Sequence, residues 1–319
     1  MAEVKVLDGG FSTQLSKYVG EKIDGDPLWT ARFLVTDPGS VFATHLDFLR
    51  AGADIIQTNT YQATLNGFAK YLNFSDEESI GLLHKAVEFS KKAVEIYKKE
   101  TKNLIVANSE PLISGSCGPY GASLHDGSEY TGTYNNLVSA NFIKEWHKPR
   151  IKALLDSGVD MLSLETIPCR IEAFAIVELL REFPNAKAWL SLSCRNDGKS
   201  IAEGSSFHKI AVECYKRAAP GQILAVGMNC IAPQFVTPLI KGINQKNKEF
   251  IPLVVYPNSG EVYTVAEGWQ KKEEYYPIEQ FIPEWLNQGV RIVGGCCRTN
   301  ATDVEKIRAA VEKYRNENF

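Results

Sequence analysis

The sequence predicts a single parallel barrel of eight strands and eight helices, the (β/α)8 or TIM-barrel class of α/β fold. Three observations carry that expectation. Short apolar runs of strand length alternate with helix-patterned segments along the whole chain. Runs such as Ile223 to Gly227 are apolar throughout, as strands buried on both faces must be. No Gly-x-Gly-x-x-Gly follows the first run, which separates the pattern from an open, doubly wound sheet.

Taken in order, Val4 to Leu7 is the first strand and ends in Asp8-Gly9-Gly10. Val41 to Ala51 has helical spacing at Phe42, Leu46 and Leu49. Asp54 to Thr58 is the second strand. Ser75 to Lys99 is a helix opened by a Ser75–Glu78 capping box. Leu104 to Ala107 starts a third strand that runs toward Ile113. A long loop, Ser114 to Tyr134, follows; loops of that length are usually functional. The pattern from Tyr134 to Leu155 is helical, with Pro149 expected to kink or divide it. Met161 to Leu164, Ala188 to Leu192, Ile223 to Gly227 and Leu253 to Tyr256 read as strands four to seven. Helices over Ile171 to Arg181, Phe207 to Ala219 and Pro233 to Ile243 separate them. A helix near Ile278 to Asn287 precedes the eighth strand, Val290 to Val293, and a helix from Thr302 to Tyr314 closes the pattern.

No long linker or low-complexity segment interrupts the 319 residues, so one domain is expected over 1–319. A net charge of −3 without a basic stripe argues against nucleic acid and against an anionic membrane surface. Met1 to Leu7 has no signal-peptide character, and no apolar run is long enough to span a bilayer. Seven cysteines, an odd number, speak against a disulfide framework and for reduced thiols in the cytoplasm. A monomer is the default expectation.

In such a barrel the site is built at the C-terminal ends of the strands. Those ends carry Asp8, Thr58 and Asn59, Glu165, Asn229 with Cys230, Asn258, and Cys296 with Cys297. Gly294 and Gly295 let the backbone leave the extended form, so the sulfurs of Cys296 and Cys297 can turn toward one point. Two thiolates, a third protein ligand and one open position describe a catalytic zinc site. Cys117, Cys169, Cys194 and Cys230 all lie just beyond a strand; spacing prefers Cys194 and Cys230 and does not separate them. Cys214 falls within a helix and reads as core.

The chain resembles the homocysteine S-methyltransferase family almost end to end. The resemblance rests on Leu7-Asp8-Gly9-Gly10, Gln57-Thr58-Asn59-Thr60-Tyr61, Gly118 to Ala122, Asp126 to Tyr130, Leu164-Glu165-Thr166, Gly227 to Cys230, and Gly294 to Arg298. It implies one Zn²⁺ per chain held by Cys230, Cys296 and Cys297, and transfer of a methyl group to L-homocysteine. It further implies that Asp8 and Glu165 hold the amino group of homocysteine, and that Gly10 and Phe11 amides with Thr58 cradle its carboxylate. Asn229 would orient the ligand beside Cys230.

Coordination to Zn²⁺ would deprotonate the substrate thiol, whose ordinary pKa is about 8.5. The donor needs a good leaving group, which a sulfonium supplies, as in S-methylmethionine or S-adenosylmethionine. A cationic donor suits an aromatic and acidic surround, and Tyr61, Tyr120, Glu129 and Tyr130 are the candidates. The Gly118-to-Ala122 and Asp126-to-Tyr130 pieces resemble the sulfonium-using branch of the family, and the sequence lacks the C-terminal extension of the betaine-using one. Cys117 departs from the family pattern as an oxidisable thiol or stray ligand near the mouth. A betaine donor, or a non-catalytic zinc-binding barrel, is the alternative.

Overall fold

Eight parallel strands close on themselves in a computed structural model that describes residues 3–102, 110–247, 249–264, 268–270 and 276–318. In chain order the strands are β1 Lys5–Val6, β2 Ile55–Gln57, β3 Leu112–Cys117, β4 Met161–Ile167, β5 Ala188–Leu192, β6 Ile223–Asn229 and β7 Leu253–Tyr256. A short antiparallel hairpin follows, β8 Val262–Thr264 with β9 Gly268–Gln270, and then β10 Val290–Val293. The barrel runs β1-β10-β7-β6-β5-β4-β3-β2. It is closed between β2 and β1 by a parallel Leu7–Ile55 bridge and by the Asp8 N–H donating to the Ile55 carbonyl at 3.1 Å.

Alternation along the strands sorts side chains into two buried layers. Leu7, Ile55, Met161, Trp189, Ala225, Val254, Tyr256 and Ile292 form one cluster, which fills the barrel. Their strand neighbours Val6, Ile56, Leu162, Leu190, Val226, Val255 and Val293 belong to the larger layer under the helices. Each fully buried Leu, Ile or Val of either layer stabilises the fold by roughly 1.5–3 kcal/mol relative to exposure.

The covering helices are α1 Phe11–Val19, α2 Phe33–Thr36, α3 Pro38–Arg50, α4 Leu65–Leu72, α5 Asp76–Thr101, α6 Ala140–Asp156, α7 Arg170–Leu180, α8 Phe207–Arg217, α9 Val236–Ile240, α10 Ile243–Lys246, α11 Ile282–Gln288 and α12 Ala301–Asn318. Local chemistry sets their starts. Asp37 accepts from the Ser40 N–H at 3.1 Å to cap α3, with Pro38 in the first turn, where its missing N–H costs nothing. The Ser75–Glu78 capping box opens α5 as expected. No helix among the described residues is long and apolar enough to cross a membrane.

Several elements differ from the sequence expectation. Leu104 to Ala107 lie outside the described residues, and β3 starts at Leu112. The loop expected from Ser114 begins only after Cys117. It is then organised into 3₁₀ turns at Tyr120–Leu124, Ser128–Tyr130 and Thr133–Asn136. Helix α6 starts at Ala140 rather than Tyr134, because the Ser139 hydroxyl caps the Phe142 N–H at 3.1 Å. Pro149 neither ends nor divides α6; Ile143 before it and Ile151 and Leu154 after it are all buried, and tertiary packing holds both halves. The helix expected over Pro233 to Ile243 breaks after Ile240, where Gly242 adopts a left-handed conformation.

Candidate active site

Three cysteines from distant parts of the chain meet at the barrel mouth. Cys230 follows β6, while Cys296 and Cys297 follow β10 and the two glycines. Their sulfurs all lie within 4.8 Å of one another. Tetrahedral zinc with Zn–S bonds of about 2.3 Å needs sulfurs ~3.8 Å apart, a spacing compatible with three sulfurs gathered this closely, so the donor set fits a Zn²⁺ ion. Soft thiolates also match the preference of that metal. The backbone is pinned at each of the three cysteines. The Cys230 N–H donates to the Tyr256 carbonyl at 3.1 Å and the Cys296 N–H to the Pro257 carbonyl at 2.8 Å. The Cys297 carbonyl accepts from the Ser259 N–H at 3.2 Å. Cys230 has φ of 53°, a conformation rare outside glycine, which turns its sulfur out of the strand direction. The three thiols share protons: hydrogen bonds from Cys296 and Cys297 hold the Cys230 thiol well below its ordinary range, and their own thiols are pushed up.

The other cysteines are elsewhere. Cys117, Cys169 and Cys214 are buried. Cys117 sits in the layer between strands and helices, and burial pushes its thiol up to about 11, so it is neither a ligand of this cluster nor a reactive thiol. Cys194 turns toward the Leu192 carbonyl at 3.7 Å.

A cavity opens beside the sulfurs, lined by Asp8, Gly10, Phe11, Trp29, Gln57, Thr58, Tyr61, Ser116, Tyr130, Glu165, Asn229 and Tyr256 among others. Among the described residues its lining contains no Lys, Arg or His. Two carboxylates stand on one wall. Asp8, 1% exposed, accepts from the Gln57 N–H at 2.7 Å through Oδ2, while Oδ1 has no hydrogen-bond partner. Glu165, 6% exposed, accepts from Gln57 Nε2 at 2.9 Å and from the Ser116 hydroxyl. Burial raises both carboxyls above their ordinary values, and the charge of Glu165 adds to the rise at Asp8. Two buried acids, one with an unpaired oxygen, make a site for a cationic group.

Beside them, no side chain caps the start of α1, so its first-turn N–H groups and the helix dipole face the cavity at Phe11. The Gly10 N–H itself is used within the protein, donating to the Thr299 hydroxyl at 3.0 Å and carbonyl at 3.1 Å. A Cβ at Gly10 would lie 2.3 Å from the Cys296 carbonyl oxygen, so the two segments touch directly. The Thr58 hydroxyl lies on the cavity wall, 2.6 Å from the Thr60 hydroxyl, and accepts from the Ser116 N–H at 3.0 Å. Asn229 accepts from the Thr166 N–H and the Ser191 hydroxyl, and donates to Thr166 Oγ1 and to the Cys296 sulfur at 3.8 Å. It thereby orients the Cys296 sulfur.

Of the four donor-side residues, Tyr61 and Tyr130 line the cavity. The Tyr130 hydroxyl is 3.8 Å from the Cys230 sulfur. Glu129 lies close by, with Oε2 buried and unpartnered, and burial raises its carboxyl to about 7. Tyr120 is not in the lining; its ring meets those of Tyr134, Phe142 and Trp146 edge-on. Trp29, which the sequence pattern does not single out, packs edge-on to Tyr61 at 5.8 Å and also faces the cavity.

The family model for homocysteine S-methyltransferase matches residues 5–311. The chain belongs to the homocysteine S-methyltransferase family. A betaine-homocysteine S-methyltransferase of Drosophila melanogaster is 50% identical over 316 residues, covering 97% of this chain and 94% of that protein. A homocysteine S-methyltransferase of Escherichia coli is 38% identical, covering 96% of this chain and 95% of that one. The crystal structure of the homocysteine methyltransferase MmuM from E. coli in a metallated form superposes with a TM-score of 0.83 at 36% identity, covering 96% of each chain. This protein is therefore an enzyme of the homocysteine S-methyltransferase family on a (β/α)8 barrel, as the sequence motifs imply.

Proposed function

We propose that this enzyme transfers a methyl group from a sulfonium donor, S-methylmethionine or S-adenosylmethionine, to the sulfur of L-homocysteine, giving methionine. The observation that carries the reading is the placement of three cysteine sulfurs beside two buried carboxylates, one with a free oxygen, in a single cavity.

Asp8 and Glu165 receive the ammonium of homocysteine, relieving two buried charges at once. The amides at the start of α1 receive its carboxylate, with Thr58 beside them. This fixes the amino-acid end and points the side chain at the cysteines. Cys230, Cys296 and Cys297 would hold one Zn²⁺, which when bound would lower the pKa of the substrate thiol so that it ionises at neutral pH. Asn229 and Tyr130 hydrogen-bond to the ligand sulfurs and set their orientation. The substrate sulfur attacks the methyl carbon in line. A carbon–sulfur bond forms, the donor carbon–sulfur bond breaks, and its electron pair leaves on a neutral thioether.

The donor assignment rests on charge. A sulfonium amino acid carries a cationic sulfur, and the wall it meets holds Trp29, Tyr61 and Tyr130, with the buried carboxyl of Glu129 next to Tyr130 in sequence. Betaine is a net-neutral zwitterion, whereas a sulfonium amino acid carries a net positive charge beside its carboxylate, and the described lining holds carboxyls and no Lys, Arg or His. The name of the Drosophila relative supports betaine as the second reading. Assays of the zinc-loaded enzyme with S-methylmethionine, S-adenosylmethionine and betaine decide: methionine from a sulfonium and not from betaine is expected, and turnover with betaine alone refutes the assignment. A cytosolic location belongs to the same reading, since the site needs reduced thiols, and a monomer is proposed with it as the default state.

A further inference from the structure

Behind the donor side lies a buried polar cluster that the proposed chemistry does not use. His147 and Glu172 are fully buried, and Arg150 and Tyr134 are 2% exposed. The His147 Nε2–Glu172 Oε1 distance is 2.7 Å, and Arg150 Nη2 is 3.0 Å from His147 Nδ1. One neutral tautomer satisfies both contacts: Arg150 donates to Nδ1, and the Nε2 proton is donated to Glu172. Burial lowers the histidine pKa and keeps it neutral.

The other hydrogen bonds of the cluster reach the segments that carry the donor-side residues. Arg150 Nη2 donates to the Gly118 carbonyl at 2.6 Å, and Nη1 to the Tyr61 carbonyl at 3.3 Å. Gly118 donates its own N–H to the same Tyr61 carbonyl at 3.1 Å. A Cβ at Gly118 would stand 2.6 Å from that oxygen and 2.8 Å from the Tyr61 ring, so the glycine is the surface on which the ring rests. Glu172 accepts from the Tyr120 N–H at 2.7 Å and from the Tyr134 hydroxyl. The Tyr134 ring in turn packs under Gly121, which abuts the Glu129 backbone. Asp8 and Glu165 are held by Gln57 and Ser116 instead, and Cys296 by Asn229, so the cluster braces one half of the site.

We infer that Arg150, His147 and Glu172 are positioning residues for the methyl donor: they hold Tyr61 and the 118–130 segment, and so set donor affinity without touching homocysteine or the metal. The inference rests on the function proposed above. Buried hydrogen-bonded networks of this kind rigidify a single geometry, and small displacements of positioning groups cost rate steeply.

The test compares wild type, Glu172→Gln, Arg150→Lys and Tyr134→Phe, each zinc-loaded. Donor KM is measured with the sulfonium the wild type uses, beside homocysteine Kd and bound zinc. The expected result is a donor KM about tenfold higher or more in Glu172→Gln and Arg150→Lys, with homocysteine Kd and zinc within about twofold. Tyr134→Phe, which removes one hydroxyl, gives a smaller rise of about threefold and decides the matter if the other two fail to fold. Donor KM unchanged, or donor KM and homocysteine Kd rising together, overturns the inference. A wild type inactive with every methyl donor overturns the functional reading and the inference with it, whereas an active wild type with unsplit variants overturns the inference alone.

Discussion

The substitution Asp8→Asn removes one negative charge and leaves nearly the same shape. The asparagine amide oxygen can still accept from the Gln57 N–H, now made at 2.7 Å, so the end of β1 keeps its backbone bond. What is lost is the unpaired Oδ1 charge facing the cavity. Truncating one partner of a buried, hydrogen-bonded charge pair costs about 2–5 kcal/mol of binding. At about 1.4 kcal/mol per decade, homocysteine affinity falls roughly 30-fold to several-thousand-fold. The ligand-free protein follows the opposite logic. Burial, reinforced by Glu165, raises the Asp8 pKa above its unfolded value. Such a group contributes stability that is present below the unfolded pKa and lost as pH rises through the folded one. At neutral pH the Asp8→Asn variant, which has no charge to bury there, melts no lower than wild type. Calorimetric titration with homocysteine and a thermal melt of the same samples read both quantities. Homocysteine affinity within about threefold of wild type, at unchanged zinc content, would refute the ammonium assignment.

Further outcomes follow from the same geometry. Cys296→Ser lowers bound zinc to well under one per chain and abolishes methyl transfer; full zinc and full turnover together would exclude Cys296 as a ligand, read by elemental analysis and a methionine assay. Gly10→Ala puts a methyl group 2.3 Å from the Cys296 carbonyl, costs about 1–3 kcal/mol in overpacking and weakens zinc retention, checked by urea midpoint and chelator challenge. Burial pulls the His45 pKa down to about 3, so its stability contribution is complete above the unfolded value near 6.5 and declines as pH falls toward 3. By about pH 5 the loss is about 2 kcal/mol from this residue. Because the raised carboxyls of Asp8 and Glu165 act in the opposite sense, it is read as the urea-midpoint difference between wild type and His45→Gln, which shifts against wild type between neutral pH and about pH 5; a difference that does not move contradicts it.

Much of this architecture is legible in the chain because strand and helix periods survive in it. The runs Val4 to Leu7, Asp54 to Thr58, Met161 to Leu164, Ile223 to Gly227 and Val290 to Val293 all fall on barrel strands, and the site sits where those strands end. The pairing of Cys230 with Cys296 and Cys297 is not legible from spacing. Cys194 stands equally close to a strand end, and the difference is conformational: Cys230 takes a left-handed turn into the cavity, while Cys194 turns back toward Leu192. Family motifs carry that information; periodicity does not. The short helices α1 and α4 escape notice because nine and eight residues give the 3.6-residue period little room. Gln57 and Trp29 escape for a different reason. Gln57 ends a three-residue strand, and its link to Asp8 and Glu165 spans three separate strands. Trp29 reaches the cavity from a 3₁₀ turn with φ of 47°, an orientation no local pattern announces.

The clasp between the Asp8–Gly10 and Gly295–Thr299 segments bears on how the protein is made. The Gly295 N–H donates to the Asp8 carbonyl at 3.0 Å, and the Gly10 N–H to Thr299, across 289 positions of sequence for the latter pair. A nascent polypeptide leaving the ribosome displays Cys230 as a solitary thiol until its eighth barrel strand has emerged. The proposed metal site is thus among the last features to be completed, because two of its three sulfurs belong to residues 296 and 297.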